Sequence, residues 1–286
     1  RIASVNADDL ATIVYTSGST GTPKGAELSH RNFVSITRAA ADCVPEVLEG
    51  NSRLLLFLPL AHCFARFIQY FAFTSDAGVI GYLPSTKTLP HDMQVFEPTF
   101  VLAVPRVFEK VYNAASRKAG TGWKGRLFAK SVEFAREWTE MEQAGIAPTP
   151  KQKAEHAMYE KLVYSTIRSA FGPRIKYLAC GGAPLDRKLA TFFNGIGLTM
   201  IQGYGLTETA APFAFTRVHD NVIGTVGQPV PGSSVRISPT GELEVKGQNV
   251  FLGYHNLPEK TTETFAEDGW LKTGDLASID DEGISH

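Results

Sequence analysis

The sequence predicts an α/β fold, with layered sheets first and a small β subdomain near the C terminus. Up to about residue 217, short apolar runs alternate with amphipathic stretches, which is typical of strands that alternate with helices. Beyond that point glycines, prolines and short alternating segments dominate, including a β-hairpin predicted over 235–245. We therefore expect one large domain, with an α/β part over residues 1–217 and a β-rich part over 218–286.

The first strands and helices are predicted from apolar runs and their boundary residues. Residues 9–15 form a β-rich run that ends at a glycine-rich loop, and a serine in the N-cap position then begins a helix over 29–43. A buried strand is predicted at 54–58, where a proline ends it, and residues 62–74 are apolar on most sides, as in a buried helix. Residues 100–104 are the next predicted strand.

Three helices and two strands are predicted in the following part of the chain. Apolar residues at helical spacing mark helices around 107–115, 127–141 and 159–171. A strand is predicted at 175–179 and another near 198–201, and each leads into a glycine-containing segment. These elements complete the alternation that predicts the layered α/β part.

Composition excludes several classes of protein. The chain has 286 residues and is 43% hydrophobic, so we expect a sizeable core. The formal charge, 28 − 29 = −1, provides no basic field, and we expect no nucleic-acid partner. Cys43, Cys63 and Cys180 are odd in number and well separated, which favours reduced thiols in the cytoplasm over a disulfide scaffold. No apolar stretch is long enough to span a bilayer.

Residues 15–25, YTSGSTGTPKG, combine the features of a phosphate-binding loop. Its glycines permit close approach of backbone N–H groups to oxygen, its hydroxyl groups donate hydrogen bonds, and Lys24 supplies a positive charge. The loop differs from a Walker motif because Pro23 and Gly25 flank the lysine. On composition alone an ordinary polar turn is the alternative, but the lysine and the buried strand before it favour phosphate binding.

Three further motifs accompany this loop: GGAPL at 181–185, QGYGLTET at 202–209 and GWLKTGDL at 269–276. In this order and spacing, the four motifs resemble those of the adenylate-forming superfamily, which contains acyl-CoA synthetases, luciferases and the adenylation domains of peptide synthetases. PLAH at 59–62 and VPRVFEK at 104–110 are similar to the long-chain fatty acid–CoA ligase branch, in particular its bacterial members. The resemblance spans the chain and implies an AMP-binding large domain whose C-terminal subdomain is β-barrel-like.

The resemblance implies a reaction in two steps. The carboxylate of a long-chain fatty acid attacks the α-phosphorus of Mg·ATP, which gives an acyl-adenylate and pyrophosphate, and the thiol of coenzyme A then displaces AMP. ATP, Mg²⁺ and coenzyme A are therefore expected as co-substrates and cofactor. The family's mobile C-terminal domain, which carries a lysine that contributes to adenylation, is absent from this sequence, so we expect this piece alone to have little ligase activity.

The resemblance also implies roles for individual residues. The implied ATP-binding residues are Thr16, Ser17, Gly18, Ser19, Thr20, Gly21, Lys24, Gly181, Gly182, Ala183, Tyr204, Gly205, Thr207 and Asp275. The implied catalytic residues are Lys24, His62, Thr207 and Glu208. In the family's pattern the loop grips the β- and γ-phosphates, the tyrosine lies against adenine, the aspartate accepts hydrogen bonds from the ribose, and the glutamate binds Mg²⁺.

These assignments have structural alternatives. Tyr204 can be a core tyrosine, Asp275 a turn aspartate and Glu208 an exposed loop glutamate, and in each case it is the surrounding motif that favours the functional interpretation. His62 lies near the acyl carboxylate if it follows the family, or is a core histidine bonded to backbone. The sequence favours neither interpretation of His62 over the other.

The segment around His62 bears on the identity of the acid. Residues 54–75 contain no Asp or Glu, so the ammonium group of an amino acid would be left unpaired there. The segment offers apolar side chains instead, among them Leu58, Phe64, Phe67, Ile68, Phe71 and Phe73. They belong either to the core or to the wall of an acyl tunnel, and they favour an apolar acyl tail as substrate.

Two questions stay open in the sequence. A basic cluster, Arg117, Lys118, Lys124, Arg126 and Lys130, contains no acid; it is either a solvated helix face, which we prefer, or a weak peripheral contact with anionic lipid at the inner face of the membrane. An acyl-AMP ligase that loads a carrier protein, and a non-catalytic acyl- or nucleotide-binding protein, are the alternative functions. A P-loop phosphotransferase is disfavoured by the residues that flank the lysine of the loop.

Overall fold

Strands and helices alternate along the chain, as the sequence predicts. The structure is a computed structural model that describes residues 4–16, 22–74, 78–83, 85–281 and 283–285. The strands are β1 (Leu10–Thr16), β2 (Lys24–Ser29), β3 (Arg53–Leu56), β4 (Val79–Tyr82), β5 (Phe100–Ala103), β6 (Tyr177–Cys180), β7 (Thr199–Leu206), β8 (Ala211–Phe215), β9 (Gln228–Pro229), β10 (Ser233–Ile237), β11 (Glu242–Gly247), β12 (Gly253–Tyr254), β13 (Leu271–Leu276), β14 (Ser278–Asp280) and β15 (Gly283–Ser285). The helices are α1 (His30–Cys43), α2 (Pro45–Leu48), α3 (Cys63–Phe73), α4 (Leu89–Phe96), α5 (Pro105–Ala119), α6 (Trp123–Gln143), α7 (Pro150–Tyr159), α8 (Ser165–Ser169), α9 (Arg187–Gly195) and α10 (Pro258–Thr264), with a π-helical turn (Glu160–Tyr164) between α7 and α8 and a 3₁₀ turn (Thr207–Thr209) after β7.

One mixed sheet organises the fold. Its strand order is β4-β3-β5-β6-β7-β8-β9, in which the first five strands are parallel and the last two join antiparallel. After β3 the chain passes to β4 on one side and then returns to β5 on the other, so the strand order reverses at β3. Ligands bind at the carboxyl edge of parallel sheets near such a reversal, so this edge is the expected location of the site.

Helices cover both faces of this sheet because its parallel strands are apolar on both sides. Leu54 and Leu56 of β3 pack in a core with α1 and α3, whereas Leu55 packs in a second core with α5, α6 and α9. The same alternation places Phe100 of β5 in the first core and Val101 in the second, as expected from the two-residue period of a strand. The predicted α/β class is confirmed.

The other strands form small open sheets, β1-β2-β12, β10-β11-β13 and β14-β15. The predicted hairpin is confirmed, with Val235 opposite Val245. The barrel-like form of the C-terminal part is not confirmed, because its described strands lie in separate sheets. Moreover β9 and β12 pair with β8 and β2, strands that belong to the first 217 residues. The division of the domain at residue 217 stays a prediction.

One predicted helix differs in extent. The helix expected over 159–171 begins earlier, at Pro150, and the π-helical turn interrupts it before α8. Thr149 is its N-cap, in a capping box with Gln152, and this polar start is not visible in apolar spacing. Among the helices of the described residues, none combines the length and the apolar character needed to cross a membrane.

The start of α1 connects the first part of the chain to the last. Ser29 and Asn32 form a capping box, in which the Ser29 N–H donates to Asn32 Oδ1 at 2.8 Å and the Asn32 N–H donates to Ser29 Oγ at 3.2 Å. The Asn32 amide also donates to the carbonyls of Gln248 and Val250, each at 2.8 Å. Because Asn32 is buried, these bonds are shielded from water and hold residues 248–250 against the helix.

We predict that Asn32→Ala lowers the free energy of unfolding by about 2–3 kcal/mol, because it removes the cap and leaves two carbonyls without their donor. Arg38→Ala, an exposed position on the same helix, is the control and should cost less than about 0.5 kcal/mol. Chemical denaturation of both variants measures the difference. Equal stability of the two variants would show that Asn32 does not hold this contact.

Candidate active site

A cleft of about 620 Å³ opens at the carboxyl edge of the parallel strands. Its wall contains the predicted site residues Thr16, Lys24, His62, Gly181, Gly182, Gly205, Thr207 and Glu208. Ser17, Gly18, Ser19, Thr20 and Gly21 of the predicted phosphate loop lie outside the described residues. Ala183, Tyr204 and Asp275 are not part of the wall, although the adjacent glycines 182, 203, 205 and 274 are. The cleft therefore brings together segments that are far apart in the chain.

The basic side of the cleft is carried by the β1–β2 hairpin. Thr16, the last residue of β1, lies opposite Lys24, the first residue of β2. The Lys24 ammonium group lies 4.5 Å from the ring centroid of Tyr254, a distance at which the ring attracts a cation. The hairpin thus places a hydroxyl group and a positive charge on one wall of the cleft.

The acidic side is carried by the 3₁₀ turn that follows β7. Glu208 lies in this turn, and its Oε1 accepts a hydrogen bond from the Tyr254 hydroxyl at 2.5 Å. The Glu208 carbonyl accepts from the N–H of Phe251 at 2.8 Å. Ala210 and Ala211, which end the turn, have φ angles of 58° and 119°, a region that non-glycine residues rarely occupy. Backbone strain is thus concentrated beside Glu208.

Glu208 is chemically suited to bind Mg²⁺. Its carboxylate is half-buried in the wall of the cleft, and Oε2 accepts no hydrogen bond within the part of the chain that the structure describes. The described residues contain no group of three or more His, Cys, Asp or Glu side chains that could hold a metal. Mg²⁺ is commonly held by one or two carboxylates together with substrate phosphates, and a cleft-lining carboxylate with one oxygen outside the hydrogen bonds of the described residues fits that mode.

Tyr204 and Asp275, predicted to bind adenine and ribose, contact each other directly. The Tyr204 hydroxyl donates to Asp275 Oδ2 at 2.5 Å, and the ring packs edge-on against Phe213 with centroids 5.3 Å apart. Burial, together with the hydrogen bond to Asp275, raises the pKa of Tyr204 above its usual value, so the hydroxyl stays a donor at neutral pH. Next to Asp275, the Gly274 N–H donates to Glu242 Oε1 at 2.8 Å.

His62 and Gly181 lie where β3 and β6 end. His62 is the N-cap of α3, and its Nδ1 accepts a hydrogen bond from the Phe64 N–H at 3.3 Å, while the ring is exposed at the cleft. A Cβ atom on Gly181 would lie 2.8 Å from Cζ of Phe64, so a larger residue there would require the Phe64 ring to shift. His62 is therefore bonded to backbone and also lines the cleft, which leaves its role near the carboxylate a prediction.

Sequence reasoning did not identify several residues of the cleft. Tyr254 is the most important of them, because it contacts both the predicted cation and the predicted metal ligand. Glu242, Glu263 and Lys272 also line the wall. In the sequence, Tyr254 is visible only as the tyrosine of Gly-Tyr-His-Asn at 253–256. The pairing of β12 with β2 is what places it in the cleft.

Cys63 follows His62 in the wall of the cleft but is not suited to act as a nucleophile. Its side chain is buried, and burial raises the pKa of the thiol to about 12. At neutral pH the thiol is therefore protonated, and the reactive thiolate is scarce. The chemistry of the cleft has to come from its oxygen groups, its lysines and its histidine.

Comparison with known proteins identifies the family. The AMP-binding enzyme family matches residues 1–255, and the chain belongs to this family. It is 45% identical over 284 residues to the long-chain-fatty-acid–CoA ligase FadD15 of Mycobacterium tuberculosis, covering 99% of this chain and 47% of that protein. It is 32% identical over 284 residues to human long-chain-fatty-acid–CoA ligase 1, covering 94% of this chain and 39% of that protein. The chain thus spans about half the length of the curated relatives it matches, or less.

Solved structures agree with this assignment. ATP-bound MatB from Rhodopseudomonas palustris has a TM-score of 0.70 and is 26% identical, covering 98% of this chain and 48% of that one. The inhibitor-bound N-terminal domain of FACL13 from Mycobacterium tuberculosis has a TM-score of 0.69 at 22% identity, over 98% of this chain and 60% of that one. The second comparison supports the fold alone.

We predict that thiol reagents at pH 7–8 label Cys63 far more slowly than an exposed thiol, by a factor of about 10³ or more, because its pKa of about 12 leaves little thiolate. Half-buried Cys43 should be labelled first. Time-resolved alkylation followed by mass spectrometry measures both rates, and labelling after denaturation is the control. Equal rates for Cys43 and Cys63 in the native protein would contradict the prediction.

Proposed function

We propose that the protein that contains this chain activates a long-chain fatty acid with ATP and transfers the acyl group to coenzyme A. One observation carries the proposal: a polar cleft, with Lys24 and Glu208 in its wall, adjoins a cavity that is lined only by apolar side chains and glycine. Phe64, Gly203 and Pro212 line both spaces. A carboxylate at this junction would have its phosphate-activating groups on one side and an apolar wall for the start of its tail on the other.

The polar cleft supports the nucleotide half of the proposal. Thr16 and Lys24, with the phosphate loop that follows Thr16, would hold the β- and γ-phosphates, and Thr207 would donate to a phosphate oxygen. Tyr204 and Asp275 would face adenine and ribose, beside residues 181–183. When bound at Glu208, Mg²⁺ supplies positive charge that neutralises phosphate oxygens. Stabilising the leaving pyrophosphate is the main requirement of the first step.

The apolar cavity supports the acyl half. Its lining residues are Ala40, Val44, Val47, Phe64, Phe67, Ile68, Phe71, Phe100, Leu102, Ala179, Cys180, Ile201, Gly203, Pro212 and Phe215. No group in this wall can pair with the ammonium of an amino acid, and burying an unpaired charge is costly. The cavity holds only about 50 Å³, so a long acyl chain would require the aromatic side chains of α3 that line it to move. The names of the relatives, long-chain-fatty-acid–CoA ligases, point to the same substrate class.

We predict that the whole protein catalyses ATP–pyrophosphate exchange when fatty acids are added and not when amino acids are added. The reason is the apolar cavity behind Phe64, which stabilises an alkyl tail and leaves an ammonium unpaired. A panel of fatty acids of increasing length, with amino acids as the comparison, measures this. Exchange that depends on amino acids alone would reject the proposal.

The same assay has matched controls. Glu208→Gln should lower the exchange rate by about 100-fold, because it removes the charge proposed to bind Mg²⁺. Glu259→Gln, on the exposed surface of α10, removes the same charge outside the cleft and should leave the rate unchanged. Product analysis with and without coenzyme A separates the ligase from an acyl-AMP ligase that loads a carrier protein: accumulation of acyl-adenylate despite added coenzyme A would favour the latter.

We also propose that the protein is cytoplasmic and makes a weak peripheral contact with anionic membranes through the α5–α6 connection. Trp123 is 65% exposed there, amid the basic cluster, which has five cations and no acid between Arg117 and Lys130. Lys124 and Arg126 lie near the start of α6, whose first turn has no acid. Positive charges near the N terminus of a helix interact unfavourably with the helix dipole, so these two residues do not stabilise α6. The three cysteines are free, as is usual in the cytoplasm.

We predict that the protein floats with vesicles that contain anionic lipid at low salt. The double variant Lys124→Glu, Arg126→Glu should bind these vesicles at least about 10-fold more weakly, because each basic residue near the membrane surface contributes about 1 kcal/mol. Lys151→Glu with Lys153→Glu on α7, also exposed, is the matched control and should leave flotation unchanged. Zwitterionic vesicles test the charge requirement. Absence of salt-sensitive flotation, or equal loss in both double variants, would reject this contact.

A further inference from the structure

Tyr254 lies between the two charged groups of the cleft. Its hydroxyl donates to Glu208 Oε1 at 2.5 Å, and the Lys24 ammonium lies 4.5 Å from the centroid of its ring. The side chain is 6% exposed and forms part of the cleft wall. One aromatic ring thus contacts a cation through its face and an anion through its hydroxyl group.

The backbone around Tyr254 is held from several directions. Tyr254 pairs with Ala26 across β12 and β2, and its N–H donates to Thr261 Oγ1 at 2.8 Å. The N–H of His255 donates to the Gly25 carbonyl at 2.8 Å. Phe251 packs edge-on against the ring with centroids 4.9 Å apart. A side chain held in this way has few other orientations available, so its hydroxyl is a preorganised donor.

The contacts of Tyr254 decide what remains available on its two neighbours. Oε1 of Glu208 is occupied by the hydroxyl, which leaves Oε2 without a hydrogen-bond donor from the described residues, on a side chain that lines the cleft. Lys24 and Glu208 form no ion pair within 4.0 Å in the described parts of the chain, although opposite charges at the side of a cleft attract. Tyr254 contacts the Lys24 ammonium through its ring face and the Glu208 carboxylate through its hydroxyl group. The ammonium therefore stays available to a phosphate and the carboxylate to a metal ion.

We propose that Tyr254 is a positioning residue of the adenylation site, which orients Glu208 for a metal ion and holds the Lys24 ammonium on its ring, so that both charges stay available to a Mg²⁺–phosphate group. This inference rests on the proposed function and adds to it a residue outside the predicted site. Hydrogen-bond partners of metal ligands commonly set ligand orientation, and their loss weakens metal affinity by about 10- to 100-fold.

Tyr254→Phe tests the hydroxyl separately from the ring. In the whole protein, we expect the affinity for a non-hydrolysable ATP analogue, measured by calorimetry, to fall about 10-fold at a sub-saturating Mg²⁺ concentration. In EDTA the affinity should stay within about twofold of wild type, because the ring that holds Lys24 is retained. In the exchange assay, the Mg²⁺ concentration for half-maximal rate should rise about 10-fold, while the rate at saturating Mg²⁺ stays within about twofold.

Tyr164→Phe is the matched control. Tyr164 is also a buried tyrosine, and its hydroxyl donates to the Ser131 carbonyl at 2.7 Å outside the cleft. This variant loses one buried hydrogen bond, as Tyr254→Phe does, but should leave the Mg²⁺ dependence of binding and exchange unchanged. A shift of similar size in both variants would assign the effect to general destabilisation and overturn the proposal.

Tyr254→Leu removes the ring as well as the hydroxyl. It should additionally weaken metal-free binding of the analogue, by about threefold or more, because Lys24 loses the face on which it lies. An unchanged Mg²⁺ dependence in Tyr254→Phe, or a loss of exchange that saturating Mg²⁺ does not restore, would overturn the positioning role. If the wild-type protein shows no acid-dependent exchange, the proposed function fails, whereas the calorimetric comparison still tests Tyr254.

Discussion

The pairing of residues 252–255 with β2 is the constraint on which the site depends. Through this pairing, Tyr254 reaches Lys24 at the start of β2, while the preceding Phe251 N–H holds the carbonyl of Glu208. Just before residues 252–255, the side-chain amide of Asn32 on α1 donates hydrogen bonds to the carbonyls of Gln248 and Val250 and so holds this part of the chain. The cation and the carboxylate therefore face one cleft because a third segment of the chain binds both, and not because of any local preference of their own turns.

The second constraint is the carboxyl edge of the parallel strands. Chain segments that leave β3, β6 and β7 all begin there, so His62, Gly181 and Gly205 meet although they are distant in sequence. Phe64 packs so closely on Gly181 that a Cβ atom would lie 2.8 Å from its ring. This contact separates a polar space from an apolar one. The separation suits a reaction that joins a charged nucleotide to an acid with an alkyl tail.

Much of this arrangement was predictable from the residues, for identifiable reasons. The N-cap at Ser29 is a local hydrogen-bond pattern, and the strands at 54–58 and 100–104 are short apolar runs; both signals act within a few residues. The earlier start of α7 was missed because the helix was predicted from apolar spacing, although Thr149 and Gln152 form a local capping box. The π-helical turn at 160–164 was not predictable in this way, because apolar spacing does not report a change in hydrogen-bond register. Sequence texture predicted a β-rich C-terminal part and the resemblance implied a barrel-like form, which is not confirmed, because the described strands of that region lie in several sheets.

The sequence by itself determined the α/β class and predicted a phosphate loop before Lys24 and site motifs around Glu208 and Asp275, because each depends on residue types at short, regular spacing. Only the tertiary structure decided which of these groups touch. The contact of Tyr204 with Asp275 spans 71 residues, and that of Tyr254 with Glu208 spans 46. Such contacts depend on strand order and register, which arise when the whole core packs and which no local pattern encodes.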